Sequence, residues 1–137
     1  MKERKIIVAS HGTLAQGIVN ALGIVVGDCG VETICCYTTP DFDLDRAFQE
    51  TLSRVNYDTT EGYVFTDVSG GSVNNGFLKV LRQFDFHLFT NVNLAFLVNF
   101  ILSESSLEEA REEAEGETFK VLYCNDLLTD EGVEDDL

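Results

Sequence analysis

Apolar residues along this chain alternate between short unbroken runs and stretches with a spacing of three and four. Ile6-Ile7-Val8-Ala9-Ser10 is the first unbroken run, rich in β-branched side chains, and reads as a strand buried on both faces. After Gly12 the period changes. Leu14, Ile18, Leu22 and Val25 or Val26 fall on one helical face, with Thr13 as N-cap and Gly27 as terminator. Residues 31–37 predict a second strand, stopped by Thr38-Thr39-Pro40, which holds the only proline. Asp41 or Asp43 caps the next helix, in which Leu44, Phe48, Leu52 and Val55 form the apolar stripe while Asp45, Arg46 and Gln49 face water.

Residues 63–66 predict a third strand, followed by the turn Asp67-Val68-Ser69-Gly70-Gly71 and a helix from Ser72 to near Gln83 that carries Val73, Phe77, Val80 and Leu81. His87-Leu88-Phe89-Thr90 predicts a fourth strand, with His87 packing at its edge. Residues 94–102, apolar on nearly all sides, predict a helix that is deeply buried or at an interface. Ser106 and Glu109 have capping-box spacing at the start of an acidic helix that stops near Gly116, and residues 118–124 predict a last strand. Strands alternating with helices define an α/β fold: a doubly wound, mainly parallel sheet with helices on both faces. Such a sheet has one privileged crevice, at the carboxyl ends of its strands where the strand order reverses. If strands one and three are neighbours there, His11 and Asp67 meet.

Length and composition fit one domain, residues 1–125, followed by an acidic, flexible tail at 126–137: the chain has 137 residues, 45% of them hydrophobic. The basic start, Met1 to Lys5, precedes an apolar run too short for a signal peptide or a membrane span, so the expected location is cytoplasmic. Cys29, Cys35, Cys36 and Cys124 have neither CxxC nor Cys/His spacing, so neither a metal site nor a disulfide framework is expected, and no cofactor. A net charge of −15 excludes nucleic-acid binding through phosphates. Residues 101–137 carry −11 of it, as a solvated helix face and tail or as a partner surface.

Two clusters carry chemistry. His11 ends the first strand, and histidine is both nucleophilic near neutral pH and able to carry a phosphoryl group on a ring nitrogen. It needs a bare nitrogen to attack phosphorus, with the proton held on the other. Asp67 suits that task, because a carboxylate fixes the tautomer and stabilises the cationic ring. Backbone amides of Gly12-Thr13 and of the turn Gly70-Gly71-Ser72, both at helix starts, are candidate donors to the transferred group. The plainer alternative is a turn histidine, a turn acid and a tight glycine turn without a ligand. No P-loop, GxGxxG, HExxH or GxSxG is present.

The segments Ile7-Val8-Ala9-Ser10-His11-Gly12-Thr13, Phe65-Thr66-Asp67-Val68-Ser69-Gly70-Gly71-Ser72 and Asn91-Val92-Asn93-Leu94 resemble, in order, three motifs of the IIA components (EIIA) of the mannose-family phosphoenolpyruvate-dependent sugar phosphotransferase system. Where the family continues Gly-Gly-Ser with Pro, an aromatic and Asn, this chain has Val73, Asn74 and Asn75, and Asn93-Leu94 is followed by Ala95 instead of Pro. The resemblance implies a four-stranded sheet plus a terminal strand, here near Phe119 to Cys124, exchanged within a homodimer. It also implies a phosphoryl group received on His11 from the histidine-containing phosphocarrier protein and passed to a IIB component during sugar uptake. Asp67 would support His11, and Ser72 with nearby amides would hold the phosphoryl oxygens. Contact with the membrane would be indirect, through IIC and IID components. Two alternatives remain at this stage: the phosphotransfer subunit of a dihydroxyacetone kinase, and a regulatory or binding module that transports nothing.

Overall fold

Glu3–His11 forms the first strand (β1) of a computed structural model that describes residues 2–127. It pairs in parallel with Glu32–Cys36 (β2) on one side and Thr60–Thr66 (β3) on the other. Phe86–Phe89 (β4) adds in parallel to the far side of β3, giving the order β2-β1-β3-β4. The apolar run of β1 is explained by this place: Ile7, Val8 and Ala9 have neighbours on both sides and helices on both faces, and none is exposed.

Alternation along the central strands splits the core in two. Ile6, Val8, Tyr63 and Phe65 point to one face, where they pack against Ala15 and Leu22 of Leu14–Val25 (α1). Phe96, Leu97 and Phe100 of Leu94–Leu102 (α4) and Ala110 of Leu107–Glu115 (α5) complete that layer. Ile7, Ala9 and Val64 point to the other face, against Phe48 and Leu52 of Leu44–Ser53 (α2) and Val73 and Phe77 of Ser72–Leu78 (α3). The chain leaves β1 for β2 in one direction and β3 for β4 in the other. The reversal therefore falls between β1 and β3, which places the crevice at the ends of those two strands.

Most helix signals act as the sequence predicts. Asp43, rather than Asp41, caps α2 by accepting the Arg46 N–H at 3.2 Å, and the Ser106–Glu109 capping box closes in both directions at the start of α5. His87 packs beside the Tyr63 ring in β4, away from the crevice. α4 is buried along Phe96, Leu97 and Phe100 but leaves Leu102 64% exposed, so its apolar surface is only partly covered.

Several expectations are corrected. Thr13 occupies the N-cap position of α1 without capping it; the Ala15 N–H bonds instead to Ser10 Oγ at 2.7 Å, a hydroxyl reaching in from the end of β1. The buried face of α1 runs through Ala15, Ile18, Leu22 and Val26, and Leu14 and Val25 are outside it, because packing against β1 selects the small Ala15 at the close approach. α3 ends at Leu78, five residues before the expected stop, and the chain tightens into turns through Gln83 before entering β4. Residues 118–123 are not a strand. A strand needs a ladder partner, and this segment pairs with no edge of its own sheet: Phe119 packs on Phe96 and its carbonyl accepts from Asn93 Nδ2 at 2.9 Å, while Val121 is 97% exposed. Cys124–Leu127 forms a short 3-10 turn; the rest of the expected flexible tail lies outside the described residues.

Gly76 sets how closely α3 approaches α2. A Cβ there would run into Leu44 Cδ2 and come within 2.9 Å of Phe48 Cε2, whose ring stacks on Phe77 with centroids 3.7 Å apart. Gly76→Ala should therefore destabilise the protein by about 1–3 kcal/mol despite the better helix propensity of alanine. Urea denaturation checks this, and an unchanged midpoint would contradict the close packing.

Candidate active site

Ala9 of β1 is in register with Thr66 of β3, so the next residues of the two strands, ending in His11 and Asp67, leave the sheet side by side. Asp67 Oδ2 accepts two hydrogen bonds from His11, one from its backbone N–H at 2.8 Å and one from ring Nδ1 at 2.8 Å. Oδ1 accepts the Val68 N–H at 3.0 Å. The pair is asymmetric in exposure: the imidazole is 47% exposed and the carboxylate 5%. Burial pushes the Asp67 pKa up, but the His11 amide, the His11 ring bond and charge, and a backbone bond in its own turn outweigh it and hold the carboxyl below its ordinary value. An ionised carboxylate facing Nδ1 keeps the proton on that nitrogen. In the neutral ring Nε2 then carries the lone pair, on the side that faces Ser72.

Ser72, the first residue of α3, places Oγ 3.4 Å from Nε2. Gly71 precedes it, and a Cβ there would lie 3.3 Å from His11 Cε1 and 3.2 Å from the Val68 carbonyl. Gly71→Ala should accordingly tilt the imidazole and slow chemistry at Nε2 by about tenfold, with little effect on the midpoint of thermal unfolding. Measuring both on one sample checks the assignment, and a wild-type rate would refute the close fit.

The loop that carries Ser72 is held by polar contacts. The Thr66 hydroxyl donates to Asn74 Oδ1 at 2.8 Å, with Thr90 Oγ1 2.8 Å away on its other side. Asn91, at φ 58°, accepts the Ser69 N–H at 3.0 Å, and Asn75 Nδ2 donates to the Gly70 carbonyl at 3.2 Å. Gly70 itself turns at φ 77°, a conformation that favours glycine.

Not every candidate donor is free. The Gly12 amide donates to the Cys36 carbonyl at 2.8 Å and the Gly71 amide to the Val68 carbonyl at 3.2 Å, so both are committed within the fold. Gly12, at φ 57°, contributes the turn from β1 into α1. Thr13, Gly70 and Ser72 stand at the exposed rim of the crevice.

Tyr37, which no sequence motif marks, also belongs to the site. It follows β2, its ring centroid lies 5.6 Å from that of His11, and its hydroxyl is 2.8 Å from Ser72 Oγ. The available signal was positional: like His11 and Asp67, it ends a strand at the carboxyl edge of the sheet. Cys36, directly before it, is no nucleophile. Burial first, then the charges of Asp67 and Cys35, push its thiol up to about 12.

These features define an α/β domain of order 2-1-3-4 with a histidine, a buried carboxylate and a hydroxyl gathered at its switch point. The family model for the mannose-type EIIA proteins, described as PTS system fructose IIA component, matches residues 5–115, and the chain belongs to that family. A Klebsiella pneumoniae protein described as a phosphoenolpyruvate-dependent sugar phosphotransferase system permease superposes with a TM-score of 0.84 at 30% identity, over 93% of this chain and 96% of that one. The PTS IIA protein associated with the fucose utilization operon of Streptococcus pneumoniae gives 0.75 at 27% identity, over 93% and 98%. The mannose/sorbose-specific IIA subunit of Enterococcus faecalis shares the fold, with 0.62 at 18% identity over 90% and 98%. No curated protein sequence matches. Among the described residues, no helix is long and apolar enough to cross a membrane.

Proposed function

We propose that the protein is a cytoplasmic phosphocarrier that takes a phosphoryl group on His11 Nε2 from the histidine-containing phosphocarrier protein and passes it to a IIB component during sugar uptake. The observation that carries this reading is the double acceptance by Asp67 Oδ2, which engages Nδ1 and leaves Nε2 as the nitrogen with the lone pair. Attack by the Nε2 lone pair forms the new N–P bond, while the donor's N–P bond breaks and its electron pair returns to the donor imidazole. The His11 ring becomes cationic in this step, and the adjacent buried carboxylate stabilises it. Ser72 Oγ and the rim amides of Thr13, Gly70 and Ser72 supply donors to the phosphoryl oxygens; Gly12 and Gly71 contribute by shaping the backbone. No metal or cofactor is required for this chemistry.

The protein acts as a homodimer in this reading, with residues 119–124 exchanged between subunits. Support comes from their exposed apolar side chains, Val121, Leu122 and Tyr123, and from the outer edge of β4, which has no strand partner among the described residues.

Incubation with phosphoenolpyruvate, enzyme I and the phosphocarrier protein should give an acid-labile, base-stable phosphoprotein whose label moves onward to a IIB protein. Label that moves instead to dihydroxyacetone-binding kinase subunits would replace this reading with that of a kinase subunit. Label that moves to neither would favour a regulatory module.

A further inference from the structure

Tyr37 has φ 66°, a left-handed conformation that an aromatic residue keeps only where its surroundings hold it, and such positions concentrate at functional sites. Two contacts hold this one. Its ring stands edge-on to Phe42, with centroids 5.6 Å apart at 71°, and its hydroxyl lies 2.8 Å from Ser72 Oγ. β2 is thereby tied across the end of β1 to the start of α3, with the Tyr37 ring tilted at 40° beside that of His11.

Counting protons gives the direction of the bonds. Asp67 engages the Nδ1 proton, so Nε2 presents a lone pair and Ser72, 3.4 Å away, is the donor toward it. The serine hydroxyl has a single proton. With that proton turned to Nε2, the hydrogen bond between Tyr37 and Ser72 is donated by the tyrosine.

We propose that Tyr37 is a positioning residue for phosphoryl transfer: its hydroxyl donates to Ser72 Oγ and keeps the serine proton aimed at the space beside His11 Nε2. The inference rests on His11 being the phosphorylated residue. When Nε2 attacks, its lone pair becomes the N–P bond and can no longer accept a hydrogen bond. The serine O–H is then redirected, without transfer of its proton, to an oxygen of the arriving phosphoryl group. The donor's N–P bond breaks with its electrons returning to the donor nitrogen, and Nδ1 keeps its proton throughout. A hydroxyl that accepts one hydrogen bond donates a stronger one, so Tyr37 acts on the phosphoryl group through Ser72.

The test uses phosphoramidate as a small-molecule phosphoryl donor, which removes any contribution of Tyr37 to docking of a protein partner. Labelling of His11 is followed in the wild type, Tyr37→Phe, Ser72→Ala and the double variant. Tyr37→Phe keeps the ring against Phe42 and His11 and should be about tenfold slower than the wild type. The double variant should be no slower than Ser72→Ala alone, a non-additivity that a merely structural role would not produce. Replacing Tyr37 by 3-fluorotyrosine, a stronger donor of nearly the same shape, should raise the rate, and this readout does not depend on the phenylalanine variant folding. A wild-type rate for Tyr37→Phe with phosphoramidate would overturn the inference, as would multiplicative losses in the double variant or an unchanged rate with fluorotyrosine. Slowing seen only with the phosphocarrier protein would make Tyr37 a docking contact and also overturn it. Failure to label His11 in the wild type would instead remove the phosphocarrier reading itself.

Discussion

Asp67→Asn is expected to slow phosphorylation of His11 by about 10²- to 10⁴-fold while the protein stays folded. The size of the effect follows from two losses at one position. Asparagine has no charge to stabilise the ring as it becomes cationic. Asparagine also replaces one of the two acceptor oxygens by NH₂, so with its oxygen kept on the two His11 bonds the acceptor for the Val68 N–H is lost and the ring is held less firmly. The fold should survive because asparagine keeps the shape of the side chain and an oxygen that can still accept the His11 backbone N–H. Rapid-quench phosphorylation, with circular dichroism on the same sample, checks both halves. The carboxylate also predicts a pH dependence. Its pKa is lower in the folded than in the unfolded protein, so its stabilisation is fully present above the ordinary aspartate value, about 3.9, and is lost as pH falls through the lower folded value. Acid unfolding of the wild type should therefore have a component in that window that Asp67→Asn lacks, measured as the difference in denaturation midpoint between neutral and acidic pH.

His11→Ala should abolish labelling rather than reduce it, because no other side chain offers a bare nitrogen at the crevice. The only other histidine, His87, lies in β4 against Tyr63, and the Cys36 thiol stays protonated. Loss of a half-exposed imidazole leaves the two cores intact, so the variant should fold. Residual label above background would mean that Ser72 or another group accepts the phosphoryl.

Much of this arrangement is legible from spacing alone. The unbroken run before His11 and the stripe after Gly12 mark a buried strand followed by a helix. The same alternation around Asp67 brings the two side chains together once β1 and β3 are neighbours. What escaped depends on contacts across the chain. Ser10 caps α1 from inside β1, where a local rule looks to Thr13. Leu14 has the right spacing for the core, yet the close approach of α1 to the sheet needs Ala15. Tyr37 joins the site through a left-handed turn and a bond to a residue 35 positions away, and neither leaves a pattern in the sequence. Residues 118–124 have the composition of a strand, but composition does not supply an edge to pair with, and a single chain leaves all of them but Phe119 exposed.

The phosphoryl acceptor atom is best tested by NMR of the phosphorylated protein with ¹⁵N-labelled histidine. A ³¹P–¹⁵N coupling at Nε2 of His11, with the proton retained on Nδ1 beside Asp67, is the expected result. A phosphoryl group on Nδ1, on His87 or on an oxygen would contradict it.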